Sequence, residues 1–352
     1  MNNMVYAHRS DDNPAPRGDF RVKPEDFIVQ EQLGFELSGE GEHMCLWVEK
    51  RGQNTVYVAK QLAKYANVRV RDVSYCGLKD RHGITRQWFC LPVPIKSDFD
   101  TQGFVLEGVS ILNAIRHSKK LRTSVHQGNQ FSIVIRNIEI DEDERESIVQ
   151  LLQTIEQNGV PNYFGEQRFG HDGNNLALAQ RMFNGEVIRD KKLKSIVISA
   201  ARSYLFNQLL SARIQTHGLG QAIDGDIFKL NGSNSFFKSK FDEDIAARLA
   251  QQDIAVALPL PGSDKDLCEG QALDFKQQTL AQFEDFTCGL KPFNLSADVR
   301  AMVLMPQNLE YKWLDNSDES PLVSLELTFT LGKGAFATSV LRELFDLTNC
   351  SL

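Results

Sequence analysis

The sequence predicts an α+β protein with two domains. Alternation typical of strands dominates the first part of the chain, helical periodicity dominates residues from about 155 to 300, and strand character returns after Asp298. A chain of 352 residues also exceeds the usual size of one hydrophobic core, so two domains are expected. Apolar residues at 42% and charged residues at 24% are ordinary for a globular protein, which argues against disorder on a large scale.

The first part of the chain predicts several strands and one helix between them. An extended segment covers 20–32, where Pro24 interrupts it, and a second strand covers 44–50. Asn54 or Thr55 suits the N-cap of a helix from about 56 to 66. Further strands are predicted around 105–112 and 130–138. The acidic run at 139–146 then suits the first turn of a helix, because carboxylates stabilise the N-terminal end of the helix dipole.

Helical sequence follows the segment 159–170, which is rich in Gly and aromatic residues and is typical of a domain boundary. Its clearest stripe has the spacing of one helix face and contains Ile198, Ala201, Leu205, Leu209 and Ala212. The clearest strand of the chain covers 323–331, where apolar and polar residues alternate. It leads through G-K-G at 332–334 into a predicted helix at 335–345. The G-K-G sequence falls far short of a Walker loop, so a nucleotide site is not predicted.

The stretch at 74–89 has the strongest catalytic character. Its centre, K-D-R-H at 79–82, places the carboxylate of Asp80 among three potentially cationic side chains. Gly77 and Gly83 lie three residues to either side and can adopt positive φ, which predicts a tight, exposed loop between two short strands. Neighbouring cations keep a carboxylate ionised, so Asp80 suits a nucleophile or a base better than an acid. An ordinary turn with a solvated Asp is the alternative.

Other common chemistries lack their motifs. The six cysteines and seven histidines form no C-x-x-C or H-E-x-x-H set, so reduced thiols and no metal are expected. Serine hydrolase, aspartate phosphatase and dinucleotide motifs are also missing. The N-terminus does not resemble a signal peptide and no apolar run is long enough to span a membrane. A cytoplasmic protein is therefore expected.

Basic residues are concentrated in three segments, although the net charge is −7. Residues 60–96 hold eight Lys or Arg against two acids, residues 113–127 hold four against none, and residues 187–204 hold five against one. This pattern favours a phosphate-binding face. The alternative for each segment is the solvated side of an amphipathic element.

Four motifs resemble the TruD family of tRNA pseudouridine synthases. They are F-R-V-K-P-E-D-F-I-V-Q-E at 20–31, G-L-K-D-R-H-G-I-T-R-Q-W-F at 77–89, N-Y-F-G-E-Q-R-F-G at 162–170 and L-T-F-T-L-G-K-G-A-F-A-T-S-V-L-R-E-L at 327–344. The resemblance spans most of the chain and implies a pseudouridine synthase-type catalytic domain with a mixed, mainly antiparallel sheet. That domain would comprise 1–154 and 304–352, with a helix-rich α/β TRUD domain inserted at 155–303.

The resemblance also implies an activity, the isomerisation of uridine to pseudouridine in tRNA, at position 13 of the D-arm, with Asp80 as the catalytic residue and without cofactor or metal. Asp80 would attack C1′ of the ribose or C6 of the uracil, or would remove a proton, and the sequence leaves these routes open. Arg21 or Lys23 is expected to pair with Asp80, and Phe27 and Phe329 are expected to form an aromatic wall for the uracil. Asn129 is expected to contact the uracil edge or the sugar, and Lys79 is expected to point outward, with Arg81, to phosphates of the substrate. The partner is expected to be tRNA and the protein a monomer. The alternatives are an RNA-binding protein without activity and a nucleoside hydrolase.

Overall fold

The computed structural model describes residues 6–8, 15–97, 99–123, 125–315 and 322–351. The chain divides into two compact units. One comprises Ala15–Glu156, Pro306–Gly334 and Leu344–Leu352 and is termed the sheet unit. The other comprises Met1–Pro14, Gln157–Met305 and Ala335–Glu343 and is termed the helical unit. This division differs from the predicted one by placing residues 6–8 and 335–343 with the helical unit, and the assignment of the two predicted domains stays a prediction.

The strands of the described residues are numbered in chain order. They are β1 Arg17–Phe20, β2 Phe27–Gln32, β3 His43–Arg51, β4 Ser74–Tyr75, β5 Ile84–Pro92, β6 Val109–His117, β7 Gly128–Ile138, β8 Val160–Pro161, β9 Ile227–Leu230, β10 Phe236–Lys238, β11 Ile254–Pro259, β12 Val299–Ala301, β13 Val303–Leu304, β14 Gln307–Asp315, β15 Val323–Gly332 and β16 Asp346–Asn349.

The α-helices of the described residues are numbered in the same way. They are α1 Thr55–Tyr65, α2 Glu142–Asn158, α3 Asn174–Phe183, α4 Lys191–His217, α5 Glu243–Ala250, α6 Gly270–Leu280, α7 Glu284–Leu290 and α8 Ala337–Leu341. No helix among the described residues is both long enough and apolar enough to cross a membrane.

The sheet unit is built around one ten-stranded sheet. Its main path runs in the order β14-β15-β7-β2-β5-β3-β6, while β1 pairs with β7 and β16, and β4 pairs with β5. Within the described part of this sheet, the β1–β16 and β2–β5 pairs are parallel and the other pairs are antiparallel. The predicted α+β class with a mixed, mainly antiparallel sheet is therefore confirmed.

The register of the central strands collects polar and aromatic side chains on one face of this sheet. Glu31 of β2 pairs with Asn129 of β7, Val29 of β2 pairs with Thr85 of β5, and Thr85 also pairs with Lys50 of β3. Directly paired residues project to the same side of a sheet. This side, termed the site face, carries Phe27, Glu31, Lys50, Thr85, Gln87, Asn129, Phe131 and Phe329.

Helix α1 covers one end of the site face. The side chain of Asn54 caps it by accepting a hydrogen bond from the backbone N of Val56 at 2.8 Å. Its buried residues Val58, Ala59, Leu62 and Ala63 belong to one apolar cluster with Leu46, Val48 and Phe89 of β3 and β5. This packing confirms the helix predicted at 56–66 and brings its first residue, Thr55, beside the Asp80 loop.

The helical unit combines two small sheets with six α-helices, counted over its described residues. One sheet has four strands in the antiparallel order β10-β9-β11-β12, and the other consists of the antiparallel pair β8 and β13. Helix α4 begins at its cap Asp190, and the same helix carries Arg213, which forms a buried ion pair with Asp226 at 2.5 Å. The prediction that this region is rich in helix is confirmed, and it contains two small sheets as well.

Two predicted elements differ from the structure. The strand predicted at 105–112 begins only at Val109, because a turn comes first, in which the Val109 backbone N donates to the Leu106 carbonyl at 3.0 Å. The helix predicted at 335–345 was wrong in length. Helix α8 ends at Leu341, and the chain then forms β16, which pairs in parallel with β1. Pairing with a strand more than 300 residues earlier is a tertiary effect that local periodicity does not indicate.

Candidate active site

Asp80 lies in the loop between β4 and β5, which is the loop predicted at 74–89. Its Oδ2 accepts a hydrogen bond from Arg21 Nη2 at 2.5 Å, and its Oδ1 accepts one from the backbone N of His82 at 3.0 Å. The Asp80 side chain is 17% exposed, whereas the Arg21 side chain is 8% exposed. A carboxylate held this way is oriented and paired with a cation, yet part of its surface remains accessible.

Arg21 is held by its backbone and by two aromatic rings. Its φ of 63° lies in the left-handed region that non-glycine residues seldom adopt, which marks a constrained position. Its guanidinium lies 4.1 Å from the ring centroid of Phe27 and 4.7 Å from that of Phe20. Burial lowers the pKa of Arg21, and the charge and hydrogen bond of Asp80 oppose that shift. Of the two cations that the sequence proposed as partners of Asp80, the structure pairs Arg21, while Lys23 is exposed.

Lys50 supports the Asp80 loop, and the sequence analysis missed it. The residue is only 1% exposed, and its ammonium donates to the backbone carbonyls of Asp80 at 2.8 Å, Gln53 at 3.0 Å and Lys79 at 3.5 Å. Burial lowers its pKa from the ordinary 10.5 to about 8, opposed by the charge of Asp80. A signal existed, since Lys50 falls at an inward position of the alternation Leu46, Val48, Lys50 on β3.

A row of neutral polar groups fixes the other end of this loop. The backbone N of Lys79 donates to Thr55 Oγ1 at 3.1 Å, and Thr55 in turn donates to Gln87 Oε1 at 3.0 Å. Gln87 Nε2 then donates to the Gly77 carbonyl at 3.1 Å. A buried polar group without a hydrogen-bond partner destabilises the fold. Thr55 and Gln87 therefore obtain partners through these hydrogen bonds, which also define the path of the loop.

The side chain of Lys79 points inward and not to solvent. Its ammonium lies 2.8 Å from Glu31 Oε2, and the two side chains are only 6% and 0% exposed. The other oxygen of Glu31 accepts from the backbone N of Trp88 at 3.2 Å. The sequence interpretation that Lys79 extends outward to phosphates therefore does not fit, because the buried carboxylate of Glu31 attracts its charge. Its predicted contact with the substrate stays a prediction.

Glu31 also meets Cys76 and His126. One possible ligand atom from each residue lies within 4.8 Å of the others, and all three residues are buried. Burial raises the pKa of the Cys76 thiol to about 12, so this group is a neutral thiol beside a carboxylate that Lys79 already compensates. The sequence showed no such group because its members are separated by 45 and 50 residues. The expectation of no metal stays a prediction.

Three phenylalanine rings line the site face near Arg21. Phe131 lies between the two rings named from the sequence, with ring centroids 6.3 Å from Phe27 and 5.6 Å from Phe329, the latter pair being stacked. Phe329 is fully buried, whereas Phe27 and Phe131 are 5% and 7% exposed. Phe131 was missed although it occupies the same alternation as Asn129 on β7.

Asn129 stands at the start of β7 on this face. Its Oδ1 is buried and has no hydrogen-bond partner among the described residues. An amide oxygen without a partner in a buried position carries a desolvation cost, which a donor from a bound molecule would remove.

The two loop glycines do not have the backbone conformation that was predicted for them. Neither Gly77 nor Gly83 adopts positive φ. Gly83 is required by close packing, since a Cβ there would lie 2.5 Å from the carbonyl oxygen of Phe27. At Gly77 the nearest atoms would be 3.8 and 3.9 Å away, which is ordinary contact.

Gly83→Ala is therefore expected to lower the free energy of unfolding by about 1–3 kcal/mol, since the loop or β2 must shift to accommodate the methyl group. Gly77→Ala is the matched control in the same loop and should change the free energy by less than about 0.5 kcal/mol. Urea denaturation of both variants measures the difference. Equal effects would contradict this account of Gly83.

Comparison with known proteins agrees with this architecture over almost the whole chain. The family model described as tRNA pseudouridine synthase D (TruD) matches residues 6–189 and 187–344. A tRNA pseudouridine synthase D from Pseudoalteromonas translucida (strain TAC 125) is 45% identical over 352 residues, covering 100% of this chain and 95% of that protein. One from Pseudoalteromonas atlantica (strain T6c / ATCC BAA-1087) is 42% identical over 340 residues, covering 95% and 94%.

A solved structure supports the fold independently. The crystal structure of a Methanosarcina mazei protein assigned as a tRNA pseudouridine synthase D superposes with a TM-score of 0.74 and covers 98% of this chain and 97% of that one. At 22% identity this likeness concerns the fold alone. The family match and the two close relatives go further and confirm the resemblance seen in the motifs: the chain belongs to the TruD family.

Proposed function

We propose that this protein isomerises uridine to pseudouridine in tRNA, at uridine 13 of the D-arm, with Asp80 as the catalytic residue. One observation carries the assignment of the residue. Asp80 is an oriented and partly exposed carboxylate whose cationic partner, Arg21, packs on the ring of Phe27, in a chain that belongs to the TruD family. The position in the tRNA rests on the family resemblance alone.

The reaction begins when the target uridine leaves its stack and enters the site, at a cost of about a few kcal/mol. Asp80 acts on this nucleotide by adding to C1′ or C6, or by removing a proton, and Arg21 favours the ionised carboxylate that all three routes need. The C1′–N1 bond breaks, the base turns, and a C5–C1′ bond forms, while any bond to Asp80 breaks and releases its carboxylate. C5 then loses its proton to water and N1 takes up a proton, so the reaction is an isomerisation without net oxidation or reduction.

The detached base needs a surface that tolerates rotation. Aromatic faces stack on a pyrimidine in any orientation in its plane, which suits the wall formed by Phe27, Phe131 and Phe329. Phe27 and Phe131 are nearly buried, but unlike Phe329 they retain 5% and 7% exposure. Phe329 stacks behind Phe131 and stabilises it. The unpartnered Oδ1 of Asn129 is a suitable acceptor for a uracil N–H or a ribose hydroxyl.

Arg21→Met is expected to reduce the single-turnover rate by about 100-fold, because the variant loses the cation that orients Asp80 and favours its charge. Lys23→Met removes a neighbouring but exposed cation and should leave the rate close to that of the unmodified protein. Equal losses in the two variants would contradict the pairing of Arg21 with Asp80 in catalysis.

The activity is tested with tRNA transcript labelled with tritium at uracil C5. Isomerisation releases tritium to water and leaves the RNA intact, a binding protein releases none, and a nucleoside hydrolase releases free base. A primer-extension stop after carbodiimide treatment then locates the product. A transcript with cytidine at position 13 should give neither tritium release nor a stop, and modification elsewhere would overturn the assigned position. The absence of a cofactor, the monomeric state and the cytoplasmic location stay predictions.

A further inference from the structure

A cationic surface of the sheet unit lies where two chain segments, 71–75 and 120–123, lead toward the candidate active site. It is a groove of about 410 Å³ whose lining includes Arg71, Tyr75, Lys120, Leu121 and Arg122. The first segment continues into the Asp80 loop, and the second continues to Asn129 at the start of β7. Leu121 anchors the second segment, since its side chain is buried and its backbone N donates to Cys90 Sγ at 3.4 Å.

Three cations of this groove are not used to hold the fold. Arg71, Lys120 and Arg122 are exposed and form no ion pair with any residue that the structure describes. The acid of these segments, Asp72, is already paired with Arg69 at 2.7 Å. The pKa of Asp72 is lowered first by the hydrogen bond from Arg69 and further by the charges of Arg71 and Lys120. The positive charges of the two segments therefore converge on one region.

Other cations in the same basic segments have structural tasks. Arg116 donates to the backbone carbonyls of Gly41, Val93, Pro94 and Ser97. It therefore has little capacity left for a ligand. Arg116 thus supports loops, whereas the three groove cations have side chains that remain exposed to solvent.

The groove also offers an aromatic ring. Tyr75 is half-buried and meets Phe89 edge to face, with ring centroids 5.8 Å apart. A ring held in this way is a preformed surface for a nucleobase, and base–aromatic stacking does not depend on base identity.

We propose that this groove binds the backbone of the substrate tRNA beside the target nucleotide, with phosphates on Arg71, Lys120 and Arg122 and one base against Tyr75. The proposal rests on the proposed function. Tyr75 and Asp80 are five positions apart in the chain, and such a segment spans at most about 17 Å. The RNA segment in the groove is therefore within a few nucleotides of the reacting uridine. Binding of this segment helps to offset the free-energy cost of extruding the uridine.

The triple variant Arg71→Ala, Lys120→Ala, Arg122→Ala tests this proposal. Each lost phosphate contact removes about 0.7–0.9 from the slope of log affinity against log salt concentration, so the slope should fall by about 2–3. Affinity for the tRNA transcript at 0.15 M salt should fall by about 10- to 100-fold.

The matched control removes three exposed lysines of the same unit, Lys60, Lys64 and Lys96. If it changes the slope as much as the groove variant does, the effect is general electrostatics and the groove proposal fails. Tyr75→Leu should lower affinity by about tenfold and Tyr75→Phe should retain it, because only the former loses the ring. If the unmodified protein releases no tritium, the proposed function fails instead, and the binding slopes still report on the groove.

Discussion

Asp80→Asn is expected to reduce tritium release from labelled tRNA by at least about a thousandfold, because an amide is neither a nucleophile nor a base. The side chain keeps its size and can still accept the hydrogen bond from Arg21. Affinity for tRNA should therefore remain within about threefold. The result separates chemistry from binding, since an RNA-binding protein without activity would show no difference in product between the two forms.

His82→Ala is the matched control for this substitution. His82 occupies the same loop and is exposed, and it contacts Asp80 through its backbone N, which alanine retains. Its activity should stay within about threefold of the unmodified protein. Comparable activity of Asp80→Asn and the unmodified protein would overturn the assignment of Asp80.

Lys50→Met is expected to lower the single-turnover rate at saturating tRNA by about 10- to 100-fold, because the carbonyls of Gln53, Lys79 and Asp80 lose their common donor and the loop shifts. The free energy of unfolding should also fall, by about 1–3 kcal/mol, since buried acceptors are left unpaired. Lys60→Met on the exposed face of α1 is the control and should leave both quantities unchanged. If the rate of Lys50→Met falls only in proportion to the fraction of protein that is unfolded, Lys50 has a structural role alone.

The pH dependence provides a second readout for Lys50. Its pKa is about 8, so the ammonium loses one proton as pH rises through 8. The neutral amine has only two hydrogens to donate to three carbonyls, so the loop is held less firmly and the rate should decline. The nearby charges are the carboxylate of Asp80, which opposes the shift, and the ammonium of Lys79, which adds to it. The Lys50→Met variant should lose this decline, and an unchanged alkaline limb would contradict the interpretation.

Unfolding does not explain a decline of this kind. The unfolded chain keeps the proton on Lys50 until about pH 10.5, whereas the folded protein releases it near 8. Between these values the unfolded state binds more protons, so the contribution of this group to stability increases with pH. Thermal denaturation across this range should therefore show no loss that parallels the rate.

Local patterns predicted much of the fold. The alternation at 323–331 and the capped helix at 56–66 were found because their side chains repeat with the period of the element that they form. The length of α8 was not predicted, since β16 depends on pairing with β1 at the other end of the chain. The motif around Asp80 identified the loop. Its two glycines were predicted to be needed for positive φ, whereas the structure shows that Gly83 is needed because it packs against Phe27.

The sequence by itself determined the family, the positions of the main strands along the chain and the position of the carboxylate, because these depend on residue identity and local spacing. Only the tertiary structure decided which groups surround it. Arg21 reaches Asp80 across 59 residues, Lys50 supports the loop from β3, and Glu31 turns Lys79 inward. These contacts depend on which strands become neighbours and in what register. A buried charge is not hydrated, so it must be compensated by a partner that the neighbouring strands supply.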